Sequence, residues 1–211
     1  MHCHILPGVD DGSRSIEESL KMIEAAKAAG ITSITCTPHC RDPYFDYEAM
    51  WQAFYALEDA AGGFPLQMGF EVNHRKLMEL GLDWARVLHI DGSNEFLLEL
   101  SVNALPARYD NYERTIFALQ GMGYEVIIAH PERYAAIQKD IGVAYELVQM
   151  GCKLQASTDF IAGGRFGRER RPAVKMLKAG LYSYLASDAH RAEHYSYFAK
   201  SWDRYSGMLA K

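Results

Sequence analysis

Side chains that bind metal ions recur along this sequence wherever a predicted β-strand ends. In parallel β/α folds the loops after the strands converge on one face, and active residues gather there. Five histidines and several acids at successive strand ends are improbable by chance, so the pattern predicts a polynuclear metal site. The side chains concerned are His2, His4, His39, Glu71, Glu99, His130, Asp188 and His190, and one of Asp10 and Asp11 could reach the same centre.

The local spacing of these residues suits metal binding. Residues i and i+2 of a strand point to the same face, roughly 6.5 to 7 Å apart, so His2 and His4 can close on one cation. Asp188 and His190 can do the same from the other side. Glu71 follows an apolar strand, as does Glu99, where an unpaired carboxylate would carry a large desolvation cost that nearby cations would remove.

Each residue alone has a simpler explanation. A His-x-His near a terminus is often accidental, and a strand-end histidine such as His39 or His130 is more often a hydrogen-bonded structural residue. Asp11 could only make an Asx turn before the helix. The remaining histidines fall in helical or connecting segments, and we expect surface or structural roles for them; they are His74, His89 and His194.

A thiol nucleophile is not expected. Cys40 follows His39 as in a cysteine-phosphatase loop, but that loop needs an arginine six positions later, where this chain has Asp46. The four cysteines form no CxxC pair, which favours reduced thiols and a cytoplasmic protein. No glycine-rich nucleotide-binding motif occurs.

Alternating helix and strand patterns must position these side chains. Ser15 and Glu18 form a capping box for a first helix that Gly30 ends, and Asp46 caps a second helix running through Ala61. Further helices are predicted at 75–80, 112–122, 134–150, 172–179 and 192–209. Strands are predicted near His4 and at 31–36, 65–70, 95–100, 124–129, 153–156 and 181–186. About seven β/α units predict a closed or distorted (β/α)7-type barrel in one domain, residues 1–211.

Composition excludes some classes of partner. The 211 residues are 49% hydrophobic, enough for the core of one large domain, and the formal charge of −5 argues against nucleic-acid binding. Apolar stretches such as 126–129 fall far below the ~20 residues that span a bilayer, so membrane insertion is not expected.

The motifs resemble the polymerase and histidinol phosphatase superfamily. Within it they are most similar to the manganese-dependent tyrosine-protein phosphatases of bacterial capsule and exopolysaccharide operons. The likeness covers the whole chain, and the opening motif together with His-Pro-Glu-Arg is specific to this branch. The matching segments are residues 2–13, Thr37-Pro38-His39, Gly69-Phe70-Glu71, Leu98-Glu99, His130-Pro131-Glu132-Arg133, Gly164-Arg165-Phe166-Gly167 and Ser187-Asp188-Ala189-His190.

The resemblance implies a distorted barrel with three metal ions. His2, His4, Glu71 and Asp188 would hold one ion, and Glu71, Glu99 and His130 a second; Asp11, His39 and His190 would hold the third. Imidazole and carboxylate ligands without thiolate suit Mn²⁺, Fe or Zn²⁺, and the resemblance favours Mn²⁺. The family tends to carry an arginine several residues after its Asp-x-His motif, whereas here Arg191 is adjacent and the next is Arg204.

The implied reaction is hydrolysis of phosphotyrosine in a protein by a hydroxide that bridges the metals. Arg133 would neutralise charge on the transferring phosphoryl group; its structural alternative is a salt bridge to Glu132 or a surface acid. The implied partner is the tyrosine-rich tail of a kinase of polysaccharide assembly. Alternatives are a small-molecule phosphatase acting on histidinol phosphate or a sugar phosphate, and a metal-binding regulatory subunit without turnover. A basic cluster would be a solvated loop or attract an anionic substrate; it comprises Arg165, Arg168, Arg170 and Arg171.

Overall fold

The computed structural model describes residues 2–103, 109–161 and 167–210. The strands of these residues are β1 (Ile34–Cys36), β2 (His39–Cys40), β3 (Leu66–Met68), β4 (Glu71–Asn73), β5 (Glu95–Glu99), β6 (Glu125–Ala129), β7 (Lys153–Ser157) and β8 (Tyr184–Ala186). The helices are α1 (Ile16–Ala28), α2 (Tyr47–Ala60), α3 (His74–Leu80), α4 (Ala85–Leu88), α5 (Tyr109–Gly121), α6 (Ala135–Lys139), α7 (Gly142–Gln149), α8 (Arg170–Lys178) and α9 (His194–Tyr205).

The strands form a parallel sheet that curls into a barrel. Six strands lie in the order β2-β4-β5-β6-β7-β8, and β1 pairs with β3 in a second parallel sheet. Two backbone bonds continue one sheet into the other, from Gly69 N to Cys36 O and from Glu71 N to Pro38 O. The predicted distorted α/β barrel is therefore confirmed.

The first segment of the chain closes the ring. Cys3 forms a parallel bridge with Ala189, just beyond β8, and His4 N donates to the carbonyl of Ala189. On the other side Thr37 N donates to the carbonyl of Cys3. A third backbone bond runs from Asp188 N to the carbonyl of His2. The predicted first strand is thus a single bridge, and these backbone bonds hold His2 and His4 between neighbouring strands.

Two predicted elements are each interrupted. Residues 65–70 were predicted to form one strand that Glu71 follows, but the chain breaks after Met68 and Glu71 begins β4, paired with His39 of β2. The single helix predicted over 134–150 is split into α6 and α7. Asp140 ends α6 because its backbone is extended, and its side chain accepts a bond from Gly142 N as α7 begins.

The capping residues act largely as the sequence indicates. Asp46 accepts a bond from Ala49 N and starts α2, whose buried face carries Met50, Phe54 and Leu57 at helical spacing. Each such apolar side chain stabilises the fold by about 1.5 to 3 kcal/mol when it is buried. No helix in the described residues is long and apolar enough to cross a membrane.

The capping box of α1 is only half formed. Ser15 accepts from Glu18 N, as predicted, but the Glu18 carboxylate binds Arg14 instead of the Ser15 amide. The Arg14 guanidinium also forms an exposed ion pair with the Glu18 carboxylate. Arg14 lies in the loop that leads from residues 2–4 into α1.

Candidate metal centre

The structure brings all nine predicted metal-binding side chains together near the ends of the strands. Their candidate ligand atoms fall into three groups, each with all its atoms within 4.8 Å of one another. The groups are His2, His4 and Asp188; Glu71, Glu99 and His130; and His4, Asp11, His39 and His190. His4 thus belongs to two groups.

In the first group, two imidazole nitrogens and one carboxylate oxygen lie close together. Nε2 of His2 lies 3.3 Å from Nε2 of His4, and Oδ1 of Asp188 lies 3.3 and 3.2 Å from these two atoms. The opposite ring nitrogens already have acceptors, because Nδ1 of His2 donates to Gln155 Oε1 at 2.7 Å and Nδ1 of His4 to Asp10 Oδ2 at 2.8 Å. These bonds fix the ring tautomers and leave both Nε2 lone pairs turned toward each other, an arrangement that a cation between them stabilises.

Glu71 lies at the centre of the site. Its Oε1 is 2.6 Å from His130 Nε2, and its Oε2 is 2.6 Å from His39 Nδ1 and 3.4 Å from His4 Nε2. Burial opposes ionisation of this carboxylate, but the surrounding histidines, His2 foremost, hold its pKa well below the usual range. A buried anion in contact with several imidazoles is suited to bridging metal ions.

The second group is completed from neighbouring strands. Glu99 ends β5, with Oε1 4.0 Å from His130 Nε2, while its Oε2 accepts a bond from Asn73 at 2.9 Å. His130 directly follows β6. The carboxylate of Glu99 is therefore oriented by an amide on the adjacent strand, as the ligands of metal sites commonly are.

The third group faces the opening of the site. Oδ1 of Asp11 lies 3.2 Å from Nε2 of His39 and 3.4 Å from Nε2 of His190. The adjacent His39 ring lowers the pKa of Asp11, and burial lowers the pKa of His190 to about 4, so that the His190 ring is neutral and able to bind a cation. Of the two aspartates that the sequence left open, Asp11 joins the group.

Asp10 instead supports the ligands from behind. Its Oδ2 accepts from Nδ1 of His4 and, at 3.1 Å, from the backbone N of His39, while its Oδ1 accepts from Gly12 N. Gly12 itself lies so close to the strand that a Cβ there would be 2.5 Å from the Cβ of His4 and would overlap its carbonyl oxygen. The turn is thus pressed onto His4 and needs glycine at this position.

Within the described residues, several buried polar atoms of the site have no hydrogen-bond partner of acceptable geometry. They are His39 Nδ1, Glu71 Oε2, His130 Nδ1 and Asp188 Oδ2. Two of these atoms, His39 Nδ1 and Glu71 Oε2, lie 2.6 Å apart without hydrogen-bond alignment, and this contact fits a shared cation better than a hydrogen-bonded polar core. The donor set is nitrogen and oxygen without thiolate, and it suits Mn²⁺, Fe or Zn²⁺.

Three of these side chains are carried on unusual backbone. His2, His130 and Asp188 have φ angles of 69°, 33° and 45°, and they are the only non-glycine residues with positive φ in the described part of the chain. Left-handed backbone at such residues costs of order 1 to 3 kcal/mol each and clusters at functional sites. Sequence patterns give no direct signal for this strain.

Arg133 borders the first group. It lies in the short turn after His130, and its Nη2 is 2.6 Å from Asp188 Oδ2, 2.8 Å from Asp159 Oδ2 and 3.2 Å from Ser157 Oγ. Burial disfavours the charge, but the carboxylates of Asp188 and Asp159 hold the pKa of Arg133 above its ordinary value. A permanent cation therefore faces the site beside a candidate metal ligand.

Glu132, the residue that could have paired with Arg133, has a different role. It is fully buried; its carboxylate accepts from Ser157 N and from the hydroxyl of Tyr182, each at 2.7 Å. Burial raises the pKa of Glu132 to about 7. By holding the end of β7, Glu132 positions Ser157, which in turn contacts Arg133.

The sequence analysis missed Arg41 and Tyr44. Nη2 of Arg41 lies 2.8 Å from Nε2 of His39, and the ring of Tyr44 stacks against the ring of His39 with centroids 5.9 Å apart. The sequence feature that could have identified them is their position directly after His39, a predicted ligand at a strand end. Gln155, which orients His2 from inside β7, had no signal beyond its place in a strand.

The other predicted residues lie as follows. His74 and His89 are away from the groups, whereas Nδ1 of His194 is 3.4 Å from the backbone N of His190. The segment Gly164-Arg165-Phe166 lies outside the described residues. Arg168 and Arg171 line a cavity of about 230 Å³ with Lys139 and Lys175.

The chain is similar to known proteins of capsule synthesis. The family model described as capsular polysaccharide synthesis, CpsB/CapC, matches residues 1–197. The putative tyrosine-protein phosphatase CapC of Staphylococcus aureus is 31% identical over 196 residues, covering 90% of this chain and 76% of that protein. The tyrosine-protein phosphatase YwqE of Bacillus subtilis (strain 168) is 31% identical over 205 residues, covering 92% and 77%.

The structural comparison gives the same family. A solved chain from work on YwqE of Bacillus subtilis and CpsB of Streptococcus pneumoniae, described there as metal-dependent tyrosine phosphatases, superposes with a TM-score of 0.80 at 27% identity. The match covers 98% of this chain and 87% of the other.

Proposed function

The chain belongs to the CpsB/CapC family of capsular polysaccharide synthesis, and from this premise we propose that it is a metal-dependent tyrosine-protein phosphatase. The observation that carries the proposal is the arrangement around Glu71: its buried carboxylate contacts His130 on one side and His39 on the other, with Arg133 beside the neighbouring Asp188. Such a site combines a place for several cations with a guanidinium for the phosphoryl group.

The proposal includes three ions, with Mn²⁺ the native metal. His2, His4, Glu71 and Asp188 would hold the first ion; Glu71, Glu99 and His130 the second; and Asp11, His39 and His190 the third. The three groups of ligand atoms support this division. It is also supported by the position of Glu71, whose Oε1 lies 2.6 Å from His130 Nε2 in the second group and whose Oε2 lies 3.6 and 3.4 Å from the Nε2 atoms of His2 and His4 in the first. The whole chain, residues 1–211, acts as one domain in this proposal.

Bound divalent ions would supply an activated water and neutralise charge on the phosphoryl group. The chain's own residues then have defined tasks. Arg133 donates to a phosphoryl oxygen as charge develops there, and Asp188 holds the guanidinium in place. Asp10 and Gln155 keep His4 and His2 in the tautomers whose Nε2 atoms face the site.

The substrate that we propose is phosphotyrosine on a protein, specifically a tyrosine kinase of polysaccharide assembly in the cytoplasm. The names of the relatives support phosphotyrosine, and the family description supports capsule synthesis. The third group lies toward the opening, where Asp11 is about two-fifths exposed, so a phosphate on a flexible protein segment can approach the ligands from outside.

The test compares substrates at equal metal loading. Protein loaded with Mn²⁺, Fe²⁺ or Zn²⁺ is assayed for phosphate release from a phosphotyrosyl peptide, a phosphoseryl peptide and histidinol phosphate, with Asp188→Asn as the inactive control. We expect the phosphotyrosyl peptide to give the highest kcat/KM, and Mn²⁺ the highest activity. Preference for histidinol phosphate would indicate a small-molecule phosphatase, and full metal content without turnover on any ester would indicate a regulatory subunit.

A further inference from the structure

We propose that Arg41 and Tyr44, on the loop after β2, form a clamp for phosphotyrosine: Arg41 binds an outer phosphoryl oxygen, and Tyr44 packs against the phenyl ring. The inference rests on the proposed function and deepens it, because it assigns substrate recognition to two residues for which the sequence analysis found no role.

Among the described side chains, no carboxylate lies within 3.5 Å of the Arg41 guanidinium, which reaches into the site. Its nearest carboxylate contacts are Asp11 Oδ2 at 3.6 Å and Glu99 Oε1 at 3.8 Å, and these belong to two different ligand groups. Its close contact is Nε2 of His39 at 2.8 Å. The side chain is one-third exposed, so the guanidinium is open to a ligand that arrives from solvent.

The close contact of Arg41 is also the one that metal binding removes. Nε2 of His39 is the atom that lies 3.2 Å from Asp11 and belongs to the third ligand group. When that lone pair holds a cation, it no longer accepts a bond from Arg41, and the guanidinium is left with donors free near the metal ligands. Its carboxylate contacts, at 3.6 and 3.8 Å, are too long to be hydrogen bonds, whereas a phosphoryl group offers acceptor oxygens that match the guanidinium fork.

Arg133 lies at a different part of the site from Arg41. Its Nη2 is already held by Asp188 and Asp159, and it shares no contact residue with Arg41. Arg133 borders the group that contains His2 and Asp188, whereas Arg41 spans the groups that contain Asp11 and Glu99. Two guanidinium groups on different ligand groups can contact different oxygens of one phosphate.

Tyr44 supplies an aromatic surface next to these contacts. Its partly exposed ring lies 5.9 Å from the His39 ring at an interplanar angle of 23°, and Cζ of Arg41 lies 5.8 Å from its centroid. A phosphotyrosine whose phosphate meets Arg41 brings its phenyl ring close to this surface. Aromatic pairing of this kind favours an aryl phosphate over an alkyl phosphate.

The experiment separates the two contacts with a ligand that has no ring. Mn²⁺-loaded wild type, Arg41→Ala, Arg41→Lys, Tyr44→Leu and the control Arg86→Ala are compared for kcat and KM on a phosphotyrosyl peptide and for the binding constant of inorganic phosphate by calorimetry. Arg86 is an exposed arginine whose ion-pair contact is Asp83 at 3.8 Å. Bound metal is measured for every variant.

We expect Arg41→Ala to weaken phosphate binding and raise KM by about 10-fold or more, as loss of a charged hydrogen bond predicts. Arg41→Lys should recover only part of this loss. Tyr44→Leu should raise KM for the peptide by about 3-fold to 10-fold, with phosphate binding unchanged. All three should retain the metal content of wild type, and Arg86→Ala should match wild type throughout.

Two results would overturn the inference. One is unchanged phosphate binding and KM in Arg41→Ala; the other is loss of metal from this variant, which would make Arg41 a support for the ligands. If wild type binds phosphate but hydrolyses no phosphotyrosyl peptide, the proposed function fails, and the phosphate titration of Arg41→Ala still decides the role of the arginine.

Discussion

The carboxylate of Asp188 joins Arg133 to the candidate metal ligands. Its Oδ2 lies 2.6 Å from Arg133 Nη2, while its Oδ1 faces His2 and His4 at 3.3 and 3.2 Å. One carboxylate can therefore hold a cation on one side and aim a guanidinium on the other. This coupling makes the charge on Arg133 part of the site, although an obligate cation cannot itself bind a metal ion.

Arg133→Ala should retain metal but lose ~10² to 10³-fold in kcat, the scale seen when one donor to a developing anion is removed. Arg133→Lys should recover little, because a point charge does not reproduce the guanidinium fork. Single-turnover hydrolysis and bound-metal stoichiometry of wild type and both variants test this. Near-normal rates in Arg133→Ala would remove the residue from the mechanism.

His2→Ala and Asp188→Ala should each lose metal and activity together, because each removes a candidate ligand from the first group and leaves an open coordination position. The matched control is His194→Ala. His194 is close to the site, with Nδ1 3.4 Å from the backbone of His190, but it is in none of the ligand groups. The bound metal of the three purified variants is measured. Loss of metal from His194→Ala to the same extent as from His2→Ala would contradict the ligand assignment.

The candidate site was easier to predict than the elements that carry it. Ligand identity depends on residue type and on lying near a strand end, and an error of a residue or two in a boundary does not change this. Glu71 is an example of such a boundary error. It begins β4 instead of following a strand, yet its side chain still faces His39 and His130.

What the sequence could not show depends on one local turn and on contacts between distant segments of the chain. The break between α6 and α7 depends on Asp140, whose side chain bonds to Gly142 in an otherwise helical pattern. The positive φ of Asp188 depends on closure of the barrel, where its backbone N donates to the carbonyl of His2. Arg41 was missed because its contacts with Asp11 and Glu99 come from separate β/α units.

Gly12→Ala should lower the melting temperature and weaken metal binding. The added Cβ would overlap the carbonyl oxygen of His4 and push the turn that holds Asp10 against the His4 ring. Overpacking of this kind costs about 1 to 3 kcal/mol. Gly121→Ala is the control, since a Cβ there meets nothing within 4 Å at the end of α5. Thermal melts with and without Mn²⁺ measure both effects, and equal behaviour of the two variants would contradict the argument.

EDTA should abolish phosphatase activity and Mn²⁺ should restore it, whereas thiol alkylation should spare it. All four cysteines are buried, and burial raises the pKa of the Cys40 and Cys152 thiols to about 12, so little thiolate is available near neutral pH. Activity is followed after EDTA, after EDTA with Mn²⁺, and after iodoacetamide. Loss of turnover on modification of Cys40, with metal content unchanged, would implicate a thiol in the reaction.

His74 should make the fold sensitive to mild acid. Its ring is buried against Tyr112, 4.6 Å between centroids, and its Nε2 lies 2.9 Å from Thr115 Oγ1. Burial lowers the pKa of His74 below its ordinary value of about 6.5, so the unfolded chain takes up the proton first. The stabilising contribution is complete above that ordinary value and is lost as pH falls through the pKa of the folded protein. The measurement is the urea unfolding midpoint of metal-free wild type and His74→Gln at pH 7.5 and at pH 5.5. We expect the midpoint to fall less between these two pH values in the variant than in wild type. Equal decreases would show that His74 does not cause the loss of stability.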